Sequence, residues 1–297
     1  MYEDVTIVSG GDSKYFQLLK ELALSIREKH EGKSINIAYL DGGLTSEDIN
    51  YFKSLNIEVV DPGWCNPIAE LKAAGRNFLK INIAKMHLDK ILPNRKIIIW
   101  IDADAWLQTF ASIDLFSMVA NKNKLAIVSQ ATRLESKNIQ FKKIFTHRFV
   151  ELRNILYKNA RRAGLETHLI EKMQGRPTLN AGAYSLHVKA PHWERLRHWQ
   201  NEILKKGRLF TSDQLSIGLT IYHDQLTYEA LPDICNYIYP WRYDEDKNLF
   251  VDYFAPYTPV SIVHLAGQDQ SRNDHLYEVK MLNQDDQIIK KTLRYKK

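Results

Sequence analysis

Along the first 130 residues, short runs of apolar and β-branched side chains alternate with stretches in which apolar residues return every three or four positions. That alternation predicts a mainly parallel sheet covered by helices. The strand-like runs are 5–9, 35–40, 57–60, 96–101 and 125–129. Between them Tyr15, Leu18, Leu19, Leu22 and Ile26 recur at helical spacing, and Thr45 followed by Glu47 and Asp48 reads as an N-cap opening a short helix. A further helix is predicted over 78–92, stopped by Pro93 and Asn94. After Lys96 the fourth run is apolar at every position, so it predicts a central strand buried on both faces.

From 141 to 163, Phe141, Ile144, Phe145, Phe149, Leu152, Ile155 and Leu156 recur at helical spacing, which predicts one long basic amphipathic helix ended by Gly164. Beyond it the pattern predicts a strand over 183–188 and a helix opened by Pro191 that carries Trp193, Leu196, Trp199 and Ile203 into the core. A helix after Ser212 and late strands over 234–239 and 260–264 complete the series. There is no internal repeat, low-complexity stretch or flexible linker, so the fold class expected is α/β: a mixed, mainly parallel sheet flanked by helices in a single elaborated domain.

Composition narrows the classes. The 297 residues are 44% apolar and 26% charged, which excludes a disordered or fibrous chain. Cys65 and Cys235 are too few for a disulfide scaffold or a four-thiolate zinc site, and suit free thiols in a reducing compartment. The longest apolar run, Ile97–Ile101, is far short of the roughly 20 residues of a membrane-spanning helix. Met1 to Asp4 lack the features of a secretory signal, so a cytoplasmic protein is expected.

The net charge of +6 is uneven: 133–176 holds eleven basic residues against Glu135, Glu151, Glu166 and Glu171. A second cluster closes the chain, with Lys290, Lys291, Arg294, Lys296 and Lys297 interleaved with Ile288, Ile289, Leu293 and Tyr295. Such excess attracts anions, whether nucleic acid, acidic headgroups or phosphorylated substrates. No RNA-recognition signature accompanies it.

Ligands of open α/β sheets bind beyond the carboxyl ends of the strands. The fourth strand delivers Asp102-Ala103-Asp104 there, two carboxylates that an extended backbone turns to one side to share a divalent cation. Asp244-Glu245-Asp246 has the same spacing but lies in a polar stretch and reads as a solvated turn. His264 ends the run after Pro259. Alone it reads as a hydrogen-bonded structural residue; joined to Asp102 and Asp104 it makes a set suited to Mn²⁺ or a similar transition ion. The turn Ser9-Gly10-Gly11-Asp12-Ser13-Lys14-Tyr15 offers close approach and polar groups for a nucleoside, but lacks both the dinucleotide fingerprint and the P-loop ending.

Taken in order, Ile7 to Tyr15, Ile83-Ala84-Lys85, Trp100 to Asp104, Leu179-Asn180-Ala181-Gly182, Asp213-Gln214 and His264-Leu265-Ala266-Gly267 resemble the nucleotide-sugar glycosyltransferases of GT-A fold. The resemblance is strongest to glycosyltransferase family 8, the retaining galactosyl- and glucosyltransferases. It implies Asp102, Asp104 and His264 as ligands of Mn²⁺ or Mg²⁺, and Gly10, Asp12 and Lys14 as the turn that contacts the uridine of a UDP-sugar. Lys85 stands where that family has an arginine holding the donor, and Asn180 and Gly182 match the loop beside the donor sugar. Asp213 and Gln214 match the pair at the anomeric carbon, with Asp102 also facing the donor. Gly267 keeps its place after His264, whereas Gln270 replaces a phosphate-binding lysine and Arg272 follows two residues on.

Each match has a plainer reading. Asn180 would cap a turn, Asp213 would complement a helix dipole, and Lys85 would be a surface residue of an amphipathic helix.

The implied activity is transfer of a hexose to a glycan or glycolipid acceptor with retention of configuration. Retention proceeds either by front-face attack, with Asp213 and Gln214 positioning the sugar, or through Asp213 as nucleophile. Residues 1–130 would bind the nucleotide sugar and 131–287 the acceptor, with 288–297 a basic tail. The helix over 141–163 and that tail are expected to favour an anionic or lipid-linked acceptor and peripheral contact with the inner membrane face. Two alternatives stand beside this reading. A sugar-nucleotide nucleotidyltransferase would normally carry a Gly-rich, basic loop after the first strand. A non-catalytic basic nucleic-acid-binding protein would need no metal set.

Overall fold

The computed structural model describes residues 2–130, 140–143 and 150–296. Seven strands form the main sheet: β1 (Val5–Gly11), β2 (Asn36–Asp41), β3 (Glu58–Val60), β4 (Ile97–Ile101), β6 (Leu125–Ser129), β9 (Leu179–His187) and β10 (Tyr228–Leu231). Their spatial order is β10-β6-β9-β4-β1-β2-β3. All neighbours are parallel except that β9 runs antiparallel to both β4 and β6. The mainly parallel sheet expected from the alternation is therefore present, with one reversed strand, β9, beside the central β4.

The central strand is buried at all five positions. Its alternate residues divide between two cores: Ile97, Ile99 and Ile101 pack with the helix Phe16–Arg27 on one face, and Ile98 and Trp100 pack on the other with Trp193 and Leu196 of the helix His192–Lys206. The helix Ser46–Ser54 opens with the capping box of Thr45 and Asp48. Trp193 and Trp199 are both core residues, though of different clusters.

Outside the main sheet, β5 (Ala105–Leu107) pairs antiparallel with β13 (Ile262–His264), while β7 (Gln140–Lys143) pairs with β8 (Val150–Arg153). A second sheet has the order β12-β11-β14-β15, from β11 (Arg242–Asp244), β12 (Leu249–Val251), β14 (Glu278–Leu282) and β15 (Ile288–Thr292).

Four expectations are corrected. The long basic helix over 141–163 is instead the β7–β8 hairpin followed by a helix confined to Ile155–Arg162. Asn154 sets that start: its Oδ1 accepts the Tyr157 N–H at 2.7 Å while its Nδ2 donates to the Met173 carbonyl at 3.0 Å. Residues 131–139 and 144–149, Ile144, Phe145, Phe149 and part of the basic excess among them, lie outside the described residues.

The helix over 78–92 is divided into Lys80–Ala84 and Leu88–Ile91. The Tyr184 hydroxyl donates to the Lys85 carbonyl at 2.5 Å, in place of a continuing helical bond. Of the strand over 234–239, the structure forms a 3₁₀ turn, Asp233–Cys235, and a single bridge from Tyr237 to Val263. Over the described residues 288–296 the expected basic tail is no tail: 288–292 form β15, Leu293 is fully buried, and Arg294 is ion-paired with Glu21 in the interior. Asp244-Glu245-Asp246 ends β11 and enters the tight turn to β12, with Asp244 paired to Lys247. Among the described residues, no helix is long and apolar enough to cross a membrane.

Candidate active site

A cavity of about 380 Å³ opens beyond the carboxyl ends of β1 and β4. The polar set on its floor is assembled by backbone pairing. In the β5–β13 ladder His264 faces Ala105, and the Leu265 N–H donates to the Asp104 carbonyl at 2.8 Å, so the histidine is delivered beside the two aspartates. On the other side the Asp102 N–H donates to the Gly182 carbonyl at 2.7 Å, tying the end of β4 to the start of β9. One ligand atom each from Asp102, Asp104 and His264 lies within 4.8 Å of the others.

Around this trio the charges are paired. Lys85 Nζ lies 2.6 Å from Asp102 Oδ1 and 3.3 Å from Asp213 Oδ2. Arg272 Nη1 lies 3.1 Å from Asp104 Oδ2, and also pairs with Asp269. His264 Nε2 stands 3.2 Å from Asp104 Oδ1 and 4.0 Å from Asp102 Oδ2. Burial pushes the Asp104 carboxyl up, but the charges and hydrogen bonds of His264 and Arg272 outweigh it and hold the group well below the usual carboxylate range. Burial alone would lower Lys85, yet Asp102 and Asp213 raise it, so it stays a fixed cation. Burial, reinforced by the charge of Asp102 and opposed by Lys85, raises Asp213.

These residues fit a divalent cation on stereochemical grounds. His264 Nδ1 meets Asn236 Oδ1 at 2.8 Å; the ring donates from that nitrogen, so Nε2 is turned to the carboxylates. A proton or a metal ion must then lie between Nε2 and the oxygens it faces, and in the metal-free chain burial lowers His264 while Asp104 and Asp102 prevail and raise it. Two carboxylate oxygens and an imidazole nitrogen are hard and borderline donors of the kind Mn²⁺ or Mg²⁺ takes. Gly182 leaves the space for this: a Cβ there would stand 2.3 Å from His264 Cε1.

The remaining expected residues fall around the same cavity with one exception. Gly10, Asp12, Asn180, Gly182, Asp213, Gln214, Gly267 and Arg272 all line it. Gly10 has no room for a side chain, since a Cβ would meet Leu40 Cβ and its carbonyl oxygen at 2.8 Å. Gly267 takes a left-handed turn, φ +76°, after His264. Asn180 Oδ1 accepts the Gly182 N–H at 2.9 Å, so its local capping role and its place on the cavity wall coexist. Lys85 is buried, not the surface residue its helical context suggested.

Lys14 is the exception: it is exposed and stands off the cavity wall, its backbone N–H donating to Asp12 Oδ1. Sequence reasoning gave no wall role to Trp100, Phe78 and Phe210. Only Trp100 carried a signal, since it precedes Asp102 by two positions in a strand and shares its face.

No protein-family model matches the chain, and no curated protein matches it by sequence. Solved structures do match. The galactosyltransferase LgtC, in complex with donor and acceptor sugar analogues, aligns over 87% of this chain and 86% of its own, with a TM-score of 0.52 and 15% identity. Mouse xyloside xylosyltransferase 1 aligns over 88% of this chain and 96% of its own, with a TM-score of 0.53 and 12% identity. The bifunctional glycosyltransferase WbbM aligns over 80% of this chain and 39% of its own, with a TM-score of 0.51 and 14% identity. At these identities the likeness is one of fold, and the fold is that of the GT-A glycosyltransferases.

Proposed function

We propose that this chain is a metal-dependent glycosyltransferase that moves a hexose from a UDP-sugar to a glycan acceptor with retention of configuration. One observation carries the reading: Asp102, Asp104 and His264, drawn from two distant segments, converge with Lys85 and Arg272 at the strand ends of a fold shared with solved glycosyltransferases. Asp102, Asp104 and His264 would hold the cation, which when bound supplies Lewis-acid neutralisation of a departing diphosphate.

The chain's own groups do the rest. Lys85 and Arg272 bring fixed positive charge to the site where leaving-group charge develops. Gly10 and Asp12, at the end of β1, would meet the nucleoside, with Asn180 and Gly182 beside the sugar. Both oxygens of Asp213 are engaged, Oδ1 by the Gln214 N–H at 2.8 Å and Oδ2 by Lys85. That engagement supports Asp213 as an orienting group, with Gln214 positioning the sugar for front-face attack by the acceptor, over Asp213 as a nucleophile.

The test is release of UDP from UDP-galactose and UDP-glucose with and without Mn²⁺. Asp102→Asn is expected to lower turnover at least about a hundredfold with the thermal midpoint preserved, since it removes one anionic ligand of the cation. Wild-type turnover by that variant at saturating Mn²⁺ would overturn the reading, and exchange of pyrophosphate in place of UDP release would mark a nucleotidyltransferase.

A further inference from the structure

We propose that Trp100 is a positioning residue for the cation site: its indole N–H and Lys85 together occupy one oxygen of Asp102, so that the other is presented to the metal. The inference rests on the metal-dependent reading above and adds a residue to it. Trp100 precedes Asp102 by two positions at the end of β4, and the extended backbone sends both side chains to one side. Trp100 Nε1 donates to Asp102 Oδ1 at 2.7 Å, the same oxygen that Lys85 Nζ reaches at 2.6 Å. Lys85 Nζ also lies 5.0 Å from the indole centroid, so ring, cation and carboxylate form one closed unit.

A carboxylate without such partners rotates and offers either oxygen. Here two donors hold Oδ1, and Oδ2 is left facing His264 Nε2 at 4.0 Å. Asp104 is held by the same logic: Arg272 takes Oδ2 at 3.1 Å and leaves Oδ1 facing Nε2 at 3.2 Å. Each aspartate therefore gives one oxygen to a cationic side chain and turns the other toward the imidazole. The indole is 1% exposed and packed into the core on its face of the sheet, so its N–H is fixed in direction. A phenylalanine would fill much of that volume. Unlike phenylalanine, tryptophan adds the donor.

The experiment measures the Mn²⁺ dissociation constant from the electron paramagnetic resonance signal of free Mn²⁺. It compares the wild-type chain, Trp100→Phe, and a chain carrying 3-benzothienylalanine at position 100, which replaces the indole N–H with sulfur in a ring of nearly the same shape. Loss of the donor is expected to weaken Mn²⁺ binding about ten- to hundredfold, the range typical of groups that orient a metal ligand. The sulfur analogue keeps the packing, so it is expected to do so with a smaller drop in the unfolding midpoint of the metal-free protein than Trp100→Phe shows, a separation that a packing role would not produce. Equal Mn²⁺ affinity in the wild type and the sulfur analogue overturns the role of Trp100 and leaves the functional reading standing. Absence of Mn²⁺ binding by the wild type overturns the metal reading itself, and the proposal with it.

Discussion

At position 182 the absence of a side chain decides where an imidazole stands. A Cβ at Gly182 would lie 2.3 Å from His264 Cε1 and 3.0 Å from both His264 Nδ1 and Asn180 Oδ1, so the ring of His264, which is only 3% exposed, would have to move from its place. Gly182→Ala is therefore expected to displace the ring. Mn²⁺ affinity and turnover should fall by about a hundredfold, the cost of a misplacement near 1 Å, with a stability loss of about 1–3 kcal/mol from overpacking. Calorimetric Mn²⁺ titration checks it, and unchanged affinity would refute it.

His87 is a second residue whose surroundings predict a measurement. Burial first, then the charge of Arg197, lowers its pKa from 6.5 to about 4, against the opposing bond to Gln200. The folded state therefore binds this proton less readily than the unfolded state. The stability tied to neutral His87 is present above pH 6.5 and is lost as pH falls from 6.5 toward 4. The loss should be on the order of 3 kcal/mol across that window. Urea unfolding of wild type and His87→Gln as a function of pH isolates it, because the difference between the two curves should slope only there.

Among elements, the segment from 140 to 162 shows what periodicity alone leaves open. Its apolar residues recur every three or four positions, but Phe141-Lys142 and Glu151-Leu152 also alternate with the period of a strand, and the strand pairing prevails through Val150 to Arg153. A helix begins only where Asn154, 1% exposed, caps it and anchors it to the Met173 carbonyl. Asn154→Ala removes the cap and leaves buried groups unpaired; a loss of about 1–3 kcal/mol is expected, read as a lower urea midpoint, whereas Asn154→Asp should retain part of the cap.

The strands around β4 were legible because burial on both faces writes itself as an unbroken apolar run. The carboxylates were legible because they end that run. By its helical context alone Lys85 reads as a surface residue, because its partners, Asp102 and Asp213, are remote in sequence; the resemblance alone drew it to the donor. Phe78 and Phe210 gave no signal at all, since exposed aromatics on a cavity wall follow no period.

On the scale of the whole molecule, the last described residues close the structure onto its beginning. After β15, Arg294 reaches the helix Phe16–Arg27 and grips Glu21 with two hydrogen bonds, Nε to Oε2 at 2.7 Å and Nη2 to Oε1 at 2.6 Å. Its remaining nitrogen, Nη1, donates to the carbonyls of Ser271 and Arg272 at 3.1 and 3.0 Å. One buried guanidinium thus ties together the helix that follows the Gly10 turn and the backbone of a residue that faces Asp104. Arg294→Leu would leave the Glu21 carboxylate inside without its partner, which costs about 3–5 kcal/mol for a buried ion pair broken on one side.

The double variant Glu21→Leu with Arg294→Leu removes both charges and should lose less than the single one, because no unpaired charge remains in the interior. Urea unfolding of the three proteins decides the matter. A single variant as stable as wild type would mean that the chain end contributes nothing to closure. The expected order, wild type above the double and the double above Arg294→Leu, would establish Arg294 as part of the scaffold beneath the site and not as one charge of a free basic tail.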